Sequence, residues 1–152
     1  MKYRKSVLIM RDNQQKEETI EHQMMLFEAQ RQLLLPNDLK AYFRTFNAEE
    51  YETDMFFFFG LDKFESVENA VGYFRCGPDY RNIVTTLPNH ENCFVFADYF
   101  IKICVYAIRL YKDISEKNEI YVIMGDKFEI LANSFSEYLD MYRSDIGNVL
   151  VL

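Results

Sequence analysis

The sequence predicts an α+β fold with a central, mainly antiparallel sheet flanked by helices, and three observations predict it. Apolar residues recur at helical spacing towards both ends of the chain. Between them lie β-rich runs broken by Gly, Asn and Asp. These runs follow one another directly, without the strand–helix alternation that builds a parallel sheet. The expected order is helix, helix, strand, helix, four strands and a last helix. At 152 residues, against about 100–200 per domain, the chain should form one domain large enough to bury a core without a metal or disulfide staple. Fourteen Phe and eleven Tyr, with no Trp, should make that core aromatic.

Residues 1–16 read as an N-terminal extension, either unstructured or adding a short edge strand through Val7–Met10, ahead of a single domain over 17–152. Ile20, Met24 and Phe27 mark a first helix over Glu17–Gln30, with His22 off the stripe and solvated. A second helix begins at Pro36, whose missing amide costs nothing in the first turn, where Asp38 also meets the positive helix end. Its stripe is Leu39, Tyr42, Phe43 and Phe46, and Asn47 is its expected stop. Ala48–Asp54 reads as an exposed acidic loop. The four successive Phe in Met55–Phe59 cannot alternate with polar residues, so a strand buried on both faces is expected before Gly60.

Ser66 should cap a helix carrying Val67, Ala70, Val71 and Phe74, closed by Gly77-Pro78. Residues 79–92 look aperiodic and should hold at most a short strand. The runs Cys93–Ala97 and Phe100–Tyr111 then flank Asp98-Tyr99. A two-residue turn there pairs Cys93 with Cys104 and puts Phe94, Phe96, Ile101 and Ile103 on one face, with Cys93, Val95, Lys102, Cys104 and Tyr106 on the other. Ile120–Met124 and Phe128–Leu131 flank a second hairpin at Gly125-Asp126-Lys127. Finally, Ser134 and Glu137 form a capping box, and Phe135, Tyr138, Leu139 and Tyr142 give the last helix its apolar stripe.

Three strings in this order resemble the SUKH superfamily. Leu35-Pro36-Asn37-Asp38-Leu39-Lys40-Ala41-Tyr42-Phe43 with Phe46-Asn47 resembles its opening motif of Leu-Pro, helix and Asn-Gly. Phe94-Val95-Phe96-Ala97-Asp98 is similar to its strand ending in Phe-Ala-Asp, and Ala132-Asn133-Ser134-Phe135-Ser136-Glu137-Tyr138-Leu139 resembles its closing Ala-x-Ser-Phe-x-x-Phe-Leu. The likeness spans about Glu17 to Tyr142. Ala48 replaces the expected Gly, Tyr99-Phe100 stands where a Gly-rich acidic turn is expected, and the helix after Ser66 lacks a frequent Trp. The resemblance implies a protein-binding module, either an immunity protein neutralising a toxin domain, often a nuclease, of a bacterial polymorphic toxin system, or a regulatory or scaffold protein of the same fold with no toxin partner. An enzyme of unrecognised type is a third reading.

The residues themselves give little support to catalysis. Phosphate loops, nucleophile elbows and His-Glu-x-x-His are all missing, and the histidines are His22 and His90 alone. His90-x-x-Cys93 lacks a second ligand pair, so neither a metal nor another cofactor is expected. Cys76, Cys93 and Cys104 are an odd number without Cys-x-x-Cys spacing and read as reduced, buried thiols of a cytoplasmic protein. The apolar runs are too short for a membrane span, which needs about 18 residues or more.

Net charge is −7, and the first 16 residues hold five basic groups and one acid, leaving −11 on the rest. So acidic a body repels nucleic acid and either attracts a basic protein surface or simply keeps an aromatic-rich chain in solution. The first candidate for such a contact is Glu49, Glu50, Glu52 and Asp54 around Tyr51, charges that steer beside an aromatic that anchors. Asp79, Tyr80, Asp98 and Tyr99 come next.

Overall fold

The structure is a computed structural model that describes residues 16, 19–46, 52–53, 55–74 and 77–151. The first helix, α1, covers residues 19–31 and buries Met24, with Ile20 and Phe27 packed beside it. His22 is exposed, as its position off the stripe predicts. α2 (Asn37–Thr45) starts directly after Pro36 and buries Leu39, Tyr42 and Phe43. Asn47, its expected stop, lies outside the described residues.

A seven-stranded antiparallel sheet follows among the described residues: β1 (Glu52–Thr53), β2 (Phe56–Phe58), β3 (Glu65–Ser66), β4 (Cys93–Tyr99), β5 (Cys104–Arg109), β6 (Ile120–Met124) and β7 (Lys127–Ala132). Their order is β1-β2-β4-β5-β6-β7, with β3 also on β4. The fold is α+β. Because side chains alternate along strands, each face of the sheet carries its own core. Phe56, Phe58, Phe94, Phe96, Tyr106 and Ile108 meet α1, α2 and α5 (Phe135–Ser144). On the opposite face, Cys93, Val95, Val105, Ala107, Tyr121 and Ile123 meet α3 (Val67–Val71) and α4 (Ile83–Thr86).

α2 and α5 are joined at their N-termini. Ser134 Oγ accepts from the Glu137 amide at 3.1 Å, as the expected capping box requires, whereas Glu137 Oε2 accepts at 2.8 Å from the Asn133 amide, one residue before the cap. Asp38 then bridges α2 and α5. It accepts from its neighbour's amide, Leu39 N, at 2.8 Å, and from Ser136 N and Oγ at 2.9 and 3.0 Å. Its negative charge thus lies in the first turns of two helices, where the helix dipoles favour it.

Several expectations are corrected. β2 is buried on one face only: Phe56 and Phe58 are buried whereas Phe57 is exposed, because β2 lies close to the sheet margin, next to the two-residue strand β1. α3 ends at Val71 rather than at Gly77-Pro78; the Gly72 amide donates its last hydrogen bond, to Glu68 O, and glycine is a poor residue with which to continue a helix. Residues 79–92 hold no strand, within the expected limit of at most a short one, but contain the unexpected helical turn α4 and a 3-10 turn at His90–Asn92; the pair Ile83 and Leu87, four apart and both buried, is the stripe of α4.

The largest correction is the β4–β5 register. Tyr99 pairs with Cys104 and Cys93 with Arg109, so the turn comprises residues 100–103 and the two cysteines are not neighbours. Phe94 and Phe96 both face the first core by plain alternation, as expected, and the bulge between Val95 and Ala97 brings Ala97 onto that same face. The β5 half of the assignment is reversed: Cys104 and Tyr106 join the Phe94 face, while Ile101 and Ile103 are exposed in the turn. In contrast, the β6–β7 hairpin turns where expected. Gly125 takes φ +63, and a side chain there would be strained as well as pressed to 3.1 Å from the Asp79 carbonyl.

Candidate functional site

The turn that displaced the predicted hairpin is built from non-glycine residues in left-handed backbone. Phe100, Ile101 and Lys102 have φ of 46, 53 and 61°. The Ile103 amide reaches back to the Tyr99 carbonyl at 3.0 Å and to the Phe100 carbonyl at 3.3 Å. Together these make one turn of left-handed helix, which costs an L-residue roughly 1–2 kcal/mol per position. Three interactions hold it in place. The buried Tyr80 hydroxyl donates to the Lys102 carbonyl at 2.8 Å, with the Ile103 and Ile123 carbonyls at 3.3 and 3.4 Å. The Lys102 ammonium donates to the Ala70 carbonyl at 3.2 Å and lies 5.5 Å over the Phe74 ring. The Phe100 amide donates to Met55 O at 2.9 Å, and Met55 is itself left-handed at φ 69°.

What this scaffold presents is apolar. Ile101 is 80% exposed, Met55 62%, Phe100 44% and Phe57 39%. Large apolar groups scattered singly on a surface need no explanation, but here they cluster at one end of the sheet, and Met55, Phe100 and Ile101 stand on left-handed backbone. Strain of this kind persists only where surrounding structure enforces it, and it gathers at sites that act.

Beside this tip lies a cleft of about 330 Å³. Phe57, Asp98 and Val105 are direct cross-strand partners, so one row on one face runs from the tip into the cleft. It is lined by Asp62, Lys63 and Glu65, by Asn69 and Ala70 of α3, and by the almost fully buried Val95 and Val105 of the sheet. Asp98 and Lys102 stand at the end nearest the turn. Burial pushes the Asp98 carboxyl above the ordinary aspartate range, opposed by the charge and amide of Lys102 and by Lys63. Lys63 Nζ sits 5.8 Å over the Phe57 ring. Both lysines of the cleft therefore have aromatic partners as well.

The residues singled out in the sequence divide sharply. Glu49, Glu50, Tyr51 and Asp54 lie outside the described residues, as does the side chain of Glu52; the Glu52 backbone pairs with Phe57, so that segment joins the sheet beside the tip. Asp98 belongs to the cleft. Tyr99 faces the other way, its ring 4.9 Å from Phe56. Asp79 is exposed and paired with Arg81 at 2.5 Å. Tyr80 is fully buried and supports the turn from inside, so its side chain is not available to a partner. Missed by the sequence reading were Met55, Phe57, Phe100 and Ile101, and the cleft residues Asp62, Lys63, Glu65, Asn69 and Lys102. The one available clue was an apolar Tyr-Phe-Ile run where a polar turn belongs.

Cys93 and Cys104 make poor nucleophiles, and Cys76 lies outside the described residues. Burial pushes the Cys93 thiol up to about 12, and Cys104 is also raised by burial. Each is free, and they lie on opposite faces of the sheet. Among the described residues no group of three or more His, Cys, Asp or Glu could hold a metal, and no helix is long and apolar enough to cross a membrane. Comparisons with protein-family models, curated proteins and solved structures returned no match.

Proposed function

We propose that the protein is a non-catalytic binding module that neutralises a protein toxin domain with a basic surface, as an immunity protein of a bacterial polymorphic toxin system does. The observation that carries a binding role is the left-handed turn, which fixes Phe100 and Ile101 outside the core. Aromatic and aliphatic anchors held in one conformation lose little entropy when they dock, so they suit the centre of a protein interface. The toxin reading rests on the SUKH-like strings and on the net charge of −7, which favours encounter with a cationic surface such as a nuclease cleft.

Co-expression tests the proposal. A toxin domain encoded beside this chain should arrest growth when expressed alone, and the chain should restore growth through a stable complex without altering the toxin covalently. Continued arrest in cells that hold the chain in soluble form would overturn it.

A further inference from the structure

We propose that the cleft beside the turn receives one guanidinium side chain of the partner, with Asp98 as its seat. This rests on the binding reading above and adds the chemistry of the group recognised. The cleft holds three carboxylates, Asp62, Glu65 and Asp98, against two ammonium groups, Lys63 and Lys102. Both lysines act on Asp98 through their charge, yet their short contacts go elsewhere: Lys102 bonds to the Ala70 carbonyl and covers the Phe74 ring, and Lys63 covers the Phe57 ring. A carboxylate can accept several hydrogen bonds, and the Lys102 amide supplies one to Asp98. Capacity remains for a charged donor arriving from outside.

The size and lining of the cleft favour arginine. Its volume of about 330 Å³ suits a single long side chain, and the half-buried Phe59 and Ala70 in its lining can cover an aliphatic stem. Burial disfavours the ionised form of Asp98. An entering cation reverses that penalty, and a guanidinium sheds its water more readily than an ammonium does. The row Phe57–Asp98–Val105 places the seat beside the apolar tip, so one partner segment can bury apolar side chains on Phe100 and Ile101 and insert a neighbouring arginine. The charge attracts and orients; the apolar contacts retain.

The test uses the full chain and small probes, independent of any toxin. N-acetyl-arginine methylamide is titrated into the ¹⁵N-labelled protein, with the lysine and citrulline analogues as controls. Saturable shifts are expected at the amides of Lys63, Asn69, Ala70, Asp98 and Lys102, with weaker binding of the lysine probe and none of citrulline. In Asp98→Asn, arginine affinity should fall at least tenfold while the remaining spectrum stays native. Equal binding of citrulline, equal or tighter binding of lysine, no saturation, or unchanged affinity in Asp98→Asn would each overturn the proposal. Failure here leaves toxin neutralisation standing, and failure of neutralisation leaves arginine binding measurable.

Discussion

At Asp98 a carboxylate is kept half-buried although the ionised form is disfavoured there. A carboxyl whose folded pKa lies above its unfolded one supports folding while protonated. That contribution is complete below the unfolded pKa and is lost as pH rises through the folded one. Asp98→Asn should therefore raise the urea midpoint at neutral pH, and the gain should shrink as pH falls through the range in which the native Asp98 takes up its proton. A gain that is constant with pH would show that charge burial is not its cause. Tyr80 carries the opposite expectation. Tyr80→Phe removes a hydroxyl that serves the Lys102 carbonyl from inside the core, and leaving a buried acceptor without its donor costs about 1–3 kcal/mol. Urea denaturation reads that loss directly, and amide exchange at residues 100–103 should quicken with it.

Among the elements, the turn is the one whose stability and function pull apart. Ile101→Gly removes an exposed side chain from left-handed backbone that glycine adopts freely, so it should stabilise the fold by about 1 kcal/mol. The same change deletes a contact anchor and should weaken partner binding; thermal melting and a binding titration give the two readings. The helix ends behave differently, because there the strained or charged group serves the fold itself. Asp38→Ala strips the bridge between α2 and α5 and should cost about 1–2 kcal/mol, measurable by urea denaturation.

These elements also show where sequence reasoning succeeds. The capping box at Ser134, the Ser66 cap and the Gly125 turn were legible because each is specified by residues within a few positions of one another. The β4–β5 register was not. Its turn is stabilised by a hydroxyl 22 residues earlier in the chain and its strand carries a bulge, and neither leaves a local trace. The same reasoning explains the candidate site: Asp98 was found from a string, whereas the cleft around it is assembled from β4, β5, α3 and the segment 59–65, which only the fold brings together.

For the whole molecule, the sheet lies between two separate cores, and the tip and cleft lie at one end of it. The rigid centre is what allows a strained turn to persist at the margin: Tyr80 belongs to the second core and its hydroxyl reaches the turn. The −7 charge sets long-range attraction, which salt should weaken, while the apolar tip sets retention, which salt should leave largely intact. The most direct measurement of the central claim is toxin rescue by the double variant Phe100→Ser/Ile101→Ser, beside the parent chain. Both side chains are exposed, so the variant should melt like the parent. The account predicts that it binds the toxin domain at least about 100-fold more weakly and no longer restores growth. Full protection by a natively folded variant would contradict it.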